Sequence, residues 1–69
     1  MINLSTFADA YTAFTNSGFF EMVDADQIDA IARNAYRAAP GNGYVSEEDA
    51  SELFRVAIIA VCGWDASDF

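Results

Sequence analysis

Three segments of the chain share a pattern that predicts α-helices: a polar capping residue, apolar residues at helical spacing, and a glycine. The capping side chain satisfies free amide groups of the first turn, and the glycine can adopt the left-handed conformation that often ends a helix. The first segment predicts helix 1, which begins at Ser5 or Thr6 and has a capping box formed by Thr6 and Asp9. Helix 1 is expected to end in the stop at 16–18, with Gly18 left-handed.

The second segment, helix 2, begins with a capping box of Asp24 and Gln27 and ends at the turn formed by residues 40–43. The third, helix 3, begins with a capping box of Ser46 and Asp49. The apolar stripe predicted for helix 2 comprises Ile28, Ile31, Ala32, Ala35 and Ala39. The stripe predicted for helix 3 comprises Ala50, Leu53, Phe54, Ala57, Ile58 and Val61. Both stripes should face one core.

The second half of helix 3, Val56 to Cys62, is apolar nearly all round, which predicts that it lies at the centre of the core. Its β-branched residues leave a strand as an alternative for residues 56–62. Gly63 should end the helix, and Trp64 can fold back over the core. The acidic tail, residues 65–69, is expected to be loose.

Two short pieces lie in the interhelix loops, Phe19–Val23 and Tyr44–Val45, and the first reads as a strand or an extended connector. A weak internal repeat aligns Ala10–Phe20 with Ala35–Val45, and in each copy an extended piece begins after the glycine turn. The chain therefore reads as mostly α, a compact three-helix domain over residues 1–69. A short two-stranded β-bridge between the interhelix loops would give it EF-hand-like geometry.

The segment GNGYVSEED resembles the second half of an EF-hand calcium loop. If Gly43 holds the sharp-turn position, Ala38 and Pro40 fall where oxygen ligands are needed, and Asp49 falls where a bidentate Glu is expected. The ion-binding chemistry is therefore largely missing, and we expect neither a metal nor a cofactor.

Reactive groups are scarce, which argues against an enzyme. The chain has no His and no Lys, so the usual general base and Schiff-base amine are absent. Its single cysteine, Cys62, lies in the apolar run VAIIAVC and reads as a buried thiol, with reactive or intermolecular roles as alternatives. The Gly41–Gly43 turn lacks the spacing and Lys of a phosphate-binding loop.

The net charge of the chain limits the kinds of partner that it can bind. Eleven Asp and Glu face three Arg, for a net charge of −8. This balance excludes direct nucleic-acid binding as the main role, because such binding depends on Lys and Arg that neutralise phosphates. It also disfavours an anionic membrane surface. With no signal peptide and no apolar run long enough to span a bilayer, we expect a cytoplasmic protein whose partner is basic.

Acidic residues are concentrated at the starts of helices 2 and 3. The helix macrodipole accounts for part of this, but capping needs only one or two carboxylates per helix. Glu48 and Glu52, four apart, repel each other. Four carboxylates over roughly 8 Å of helix match the charge density of about four to five DNA phosphates. The predicted partner-binding residues are Asp24, Asp26, Glu47, Glu48, Asp49 and Glu52, then Glu21 and Asp9 as second choices. Tyr44 is either an aromatic anchor or a core residue.

In size, acidity and lack of Lys and His, the whole chain resembles phage-encoded inhibitors of host defence, such as anti-CRISPR proteins and other DNA mimics. The resemblance implies a basic, nucleic-acid-binding host partner, such as a subunit of a Cas complex or a restriction enzyme, met in the host cytoplasm. The chain would block that surface sterically, as a monomer or small homo-oligomer. The alternatives are a helix-in-groove module that uses Phe19 or Phe20, and a small homo-oligomeric structural subunit.

Overall fold

Three α-helices make up most of the fold in the computed structural model, which describes residues 1–65 and 67. They are α1 (Phe7–Thr15), α2 (Ile28–Ala38) and α3 (Glu47–Cys62). Two short 3₁₀-helices, η1 (Gly18–Met22) and η2 (Ala25–Gln27), connect α1 to α2. Strands β1 (Ile2–Asn3) and β2 (Tyr44–Val45) pair antiparallel, with Ile2 opposite Val45. The predicted fold class, a mostly α three-helix domain with a two-stranded bridge, is confirmed.

The starts of α1 and α3 use the predicted capping hydroxyls, but among the described residues neither the Asp9 nor the Asp49 carboxylate accepts from the capping amide, so each capping box is only half formed. Thr6 Oγ1 accepts a hydrogen bond from the Asp9 amide at 3.1 Å, and Ser46 Oγ accepts one from the Asp49 amide at 3.1 Å. At its far end α3 stops at Gly63, which has φ 72°. Residues 56–62 therefore belong to one continuous helix, and the strand alternative is wrong.

The start of α2 differs from the prediction. The Asp24 side chain makes no capping hydrogen bond, and the chain passes through η2 before α2 begins at Ile28. The Asp24 carbonyl closes that 3₁₀ turn by accepting from the Gln27 amide at 3.0 Å. Gly18 is also not left-handed, because η1 continues in a right-handed turn. The Ser17 hydroxyl helps to end α1 by donating to the Phe14 carbonyl at 2.6 Å.

The β-bridge uses one predicted strand and one that was not predicted. Tyr44–Val45 is β2, but its partner is β1 near the N-terminus, and the predicted piece Phe19–Val23 forms η1 and the residue after it. The Leu4 amide, just after β1, donates to the Gly43 carbonyl at 2.7 Å. Because Leu4 is fully buried in the core, its burial holds β1 against β2. The two interhelix loops are not paired with each other.

The core lies between the three helices and the bridge. Phe14 of α1 meets Phe54 of α3 edge to face, with ring centroids 5.2 Å apart. The residues that form the core are Leu4, Ala10, Phe14, Ile28, Ile31, Ala35, Val45, Ala50, Phe54, Ala57 and Ile58. These include most of the two predicted stripes, while Ala39, Leu53 and Val61 pack partly buried against them.

The C-terminal half of α3 is less enclosed than predicted. Val56 is 49% exposed and Ala60 is exposed, because α3 packs with one side only. Trp64 is half-buried and packs against the core, as expected. Of the predicted loose tail, residues 66, 68 and 69 lie outside the described residues.

Candidate protein-docking site

Four exposed carboxylates stand on the first turns of α3: Glu47, Glu48, Asp49 and Glu52, here called the α3 acidic start. The capping acceptor at this helix is the Ser46 hydroxyl, and Asp49 contributes its backbone amide. Glu52 forms an ion pair with Arg55. Within residues 1–65 and 67, the other three carboxylates make no hydrogen bond or ion pair. Three negative charges therefore face solvent without a role in the cap.

The α3 acidic start fans out around the helix and does not form a single line of charge. Glu47 borders a pocket beside Ile2, at the end of α1. Glu48 and Glu52, one turn apart, border a depression beside Phe19 of η1. Asp49 borders a different depression, next to the end of α2. Glu47 and Glu48 thus lie towards η1, Asp49 lies on the α2 side, and Glu52 borders the depressions on both sides.

Asp24 and Asp26 lie at the opposite end of α3 from its acidic start. The neighbouring Gln27 accepts a hydrogen bond through its side-chain oxygen from the Cys62 thiol, with Sγ and Oε1 3.2 Å apart. Cys62 is the last residue of α3 and Glu47 the first, which separates them by about 22 Å along the axis. The structure therefore divides the six leading predicted site residues into two distant groups.

The second-choice residues have different surroundings. Asp9 is half-buried, and its Oδ2 accepts hydrogen bonds from Asn3 Nδ2 at 3.1 Å and Thr6 Oγ1 at 2.9 Å, so it supports the start of α1. Glu21 is exposed in η1. Tyr44 is 49% exposed on β2, which rules out the core role and leaves the anchor role open.

The arginines leave most of this acidity uncompensated. Of the three, only Arg55 pairs with the α3 acidic start. The Arg33 guanidinium lies over the Phe7 ring, 4.6 Å from its centroid. Arg33 and Arg37 both line a shallow groove on α2 that includes no acidic residue. Sequence spacing alone did not show the stacking of Arg33, because it depends on how α1 packs against α2.

Cys62 is held as a neutral thiol. Burial, and to a smaller extent the negative charge of Asp24, raises the pKa of the Cys62 thiol above its usual value. The thiol donates to Gln27, and its side chain packs against the core. Since the thiolate is the reactive form, this setting disfavours a nucleophilic role.

Exposed apolar side chains on η1 form a second feature of this surface. Phe20 is 40% exposed and Met22 is 42% exposed. The preceding residue, Phe19, is half-buried and packs against the core cluster. Sequence reasoning singled out Phe20 but missed Met22, because a five-residue helix is too short to show an apolar period.

Three further findings bear on the surface. Within residues 1–65 and 67, no three His, Cys, Asp or Glu side chains are grouped so that they could hold a metal ion. None of the helices described combines the length and the apolar character needed to cross a membrane. Comparison with protein-family models, curated proteins and solved structures finds no match to this chain.

Proposed function

We propose that this chain is a non-catalytic protein-binding module that docks its α3 acidic start on a Lys/Arg-rich surface of another protein. The observation that supports the proposal is the set of three carboxylates, on Glu47, Glu48 and Asp49, that are exposed and unpaired beside a cap already completed by Ser46. The acids are more numerous than the helix end requires, and their charge is available to a cationic partner.

These acids also affect the stability of the fold. The macrodipole stabilises each acid in the first turn by about 0.3–1 kcal/mol. Repulsion between Glu48 and Glu52 opposes this by about 0.2–0.5 kcal/mol, and their charges add to a net charge of −8. On a basic partner the same charges accelerate encounter and select against acidic surfaces. The acids therefore contribute to the stability of α3, and they also favour association with a basic partner.

The specific form we propose is inhibition of a nucleic-acid-binding host protein. A surface that binds DNA or RNA presents a high density of Lys and Arg, because these residues neutralise the phosphates. An acidic module seated there would exclude the nucleic acid, as in anti-CRISPR and anti-restriction proteins. The host cytoplasm would be the place of action. The fanned arrangement of the acids favours a steric block over close imitation of a phosphate strand.

The test compares two triple variants that carry the same net charge, −5 after three of the eight surplus charges are removed. One neutralises part of the α3 acidic start, Glu47→Gln, Glu48→Gln and Glu52→Gln. The matched control neutralises the other end of the molecule, Asp24→Asn, Asp26→Asn and Asp29→Asn. Each is used to capture proteins from host lysate at low and high salt, after circular dichroism shows that it is folded.

We expect the wild type and the control to capture the same basic protein at low salt and to release it at high salt. The α3 variant should fail to capture it, and added duplex DNA should compete for the captured protein. Equal capture by both variants would refute a role for the α3 acidic start.

The exposed Phe20 and Met22 favour a second candidate, a module that binds through apolar surface or assembles with copies of itself. For that function, capture should be insensitive to salt and lost in Phe20→Ala. Sedimentation at micromolar concentration would separate self-assembly from a monomeric module.

A further inference from the structure

A pocket lined by both apolar and polar side chains lies between the end of α1, η1 and the first turns of α3. Its volume is about 330 Å³, at the lower end of the roughly 300–1,000 Å³ typical of ligand pockets. Its apolar lining residues are Ile2, Ala13, Phe19, Ala50 and Phe54, and Asn16, Ser17 and Ser51 add polar groups. Among residues 1–65 and 67, Glu47 is the one charged residue that borders it.

A second depression adjoins this pocket. It has a volume of about 370 Å³, and it shares Phe19 and Ser51 with the first. Its other borders are Glu48, Glu52 and Arg55. We call the two together the Phe19 groove. Carboxylates thus border the groove on both sides of Phe19.

The apolar surface continues along η1. In a 3₁₀-helix, residues three apart lie on the same side, so Met22 lies on the same side of η1 as Phe19. Met22 and the adjacent Phe20 are both exposed. The chain from Phe19 to Gln27 runs beside α3, because Phe19 borders the second depression on α3 and Gln27 contacts Cys62.

We propose that the Phe19 groove binds a basic amphipathic helix of the partner protein. This inference rests on the proposed function and specifies the partner's chemistry. An apolar side chain of that helix enters the pocket beside Phe19, and its Lys or Arg side chains lie against Glu47, Glu48 and Glu52. Charge complementarity selects this occupant: the carboxylates repel nucleic acid and acidic peptides, while a helix with one apolar and one cationic face satisfies both the pocket and its rim.

Arg55 shows how a cation is held here. Its guanidinium pairs with Glu52 at the border of the same depression that Phe19 lines. A cationic side chain of the partner competes with Arg55 for this carboxylate. Removal of Arg55 therefore strengthens binding of a basic helix, which is the opposite of what loss of an ordinary contact residue does.

The test uses a synthetic peptide of leucine and lysine arranged to form an amphipathic helix, and a second peptide with alanine at every leucine. Ser51→Gln obstructs both parts of the groove with a neutral side chain. Ala60→Gln, at an exposed position later in α3, is the matched control. Affinity is measured by isothermal titration, and the contact surface by chemical-shift changes in the labelled 69-residue protein.

We expect the leucine peptide to bind about tenfold more tightly than the alanine peptide, with shift changes at Phe19, Met22 and Ser51. Ser51→Gln should lower the affinity for the leucine peptide by about tenfold, and Ala60→Gln should leave this affinity unchanged. Arg55→Gln should tighten binding by about two- to fivefold, the range of one exposed ion pair.

Equal affinity for the two peptides, or equal effects of Ser51→Gln and Ala60→Gln, overturns the groove proposal. If the peptides bind equally well and their binding weakens as the salt concentration is raised, the charge-based function stands without the groove. If the peptides bind with no dependence on salt, and Glu47→Gln with Glu48→Gln has no effect, both proposals are overturned.

Discussion

Replacement of Gly43 by alanine should destabilise the fold more than any other single change in its loops. Gly43 has φ +89°, and a Cβ built there would lie 2.5 Å from Ser5 Cα and 2.7 Å from Ser5 N. Both obstructing atoms belong to the backbone, so no side chain can move aside. To accommodate the methyl group, the chain after β1 must withdraw from the loop.

The magnitude follows from what that withdrawal breaks. The left-handed conformation costs alanine about 1–2 kcal/mol. The hydrogen bond from the Leu4 amide to the Gly43 carbonyl is worth about 1 kcal/mol. Leu4 is 1% exposed, and partial loss of its burial adds about 1–2 kcal/mol. We therefore expect a loss of about 3–5 kcal/mol, a large part of the roughly 3–10 kcal/mol available to a domain of this size.

Gly41→Ala is the matched control. Gly41 also has a positive φ, +60°, but nothing lies within 4 Å of an added Cβ. The Gly41→Ala variant should lose only the free energy needed to hold alanine in the left-handed conformation, about 1–2 kcal/mol. Urea denaturation of both variants gives the two free energies of unfolding. Equal losses would refute the claim that the close approach of Ser5 to Gly43 leaves no room for a Cβ.

Two further predictions concern α3. Ser46→Ala should lower the free energy of unfolding by about 1 kcal/mol in urea denaturation, because the Asp49 amide loses its acceptor. Ser51→Ala, the control on the same helix, should not destabilise the fold. Equal effects of the two substitutions would contradict the assigned cap. Cys62 alkylation by iodoacetamide should be slower in the folded chain than in urea and should begin to rise at a higher pH, because its pKa is raised. Asp24→Asn should lower that pKa and speed the reaction, and unchanged rates would contradict the assigned contact.

The sequence predicted what local chemistry determines. The caps at Thr6 and Ser46 depend on a hydroxyl three residues before the amide that it binds, so spacing alone locates them. The stripe of α2 is a property of one helix, and its period correctly predicted the burial of Ile28, Ile31, Ala32 and Ala35, whereas Ala39 lies just past the end of the helix. The end of α3 at Gly63 follows in the same way from a residue that tolerates a left-handed conformation.

What the sequence did not predict depends on distant partners. Asp24 lies where a cap is expected, but Gln27 points to Cys62, and the chain forms η2 there instead. The strand Ile2–Asn3 is too short to show alternation, and it exists because Leu4 is buried beside Gly43.

The division of the acidic residues into two groups could not be predicted for the same reason. It follows from the path of η1 and η2 along α3, which carries the acids before α2 to the far end of α3. Sequence proximity to a helix start identified the carboxylates individually but not their arrangement. The same path sets Phe19 between Glu47 and Glu48, a neighbourhood that no spacing rule contains.

The central claim is that the α3 acidic start supplies the electrostatic part of binding to a basic partner. The most direct measurement is the slope of log Kd against log salt concentration for the captured partner. We compare the wild type, the Glu47, Glu48 and Glu52 triple variant, and the triple variant of Asp24, Asp26 and Asp29. The account predicts a steep slope for the wild type, nearly the same slope for the second variant, and a clearly smaller one for the first. Equal slopes for the two variants would contradict it.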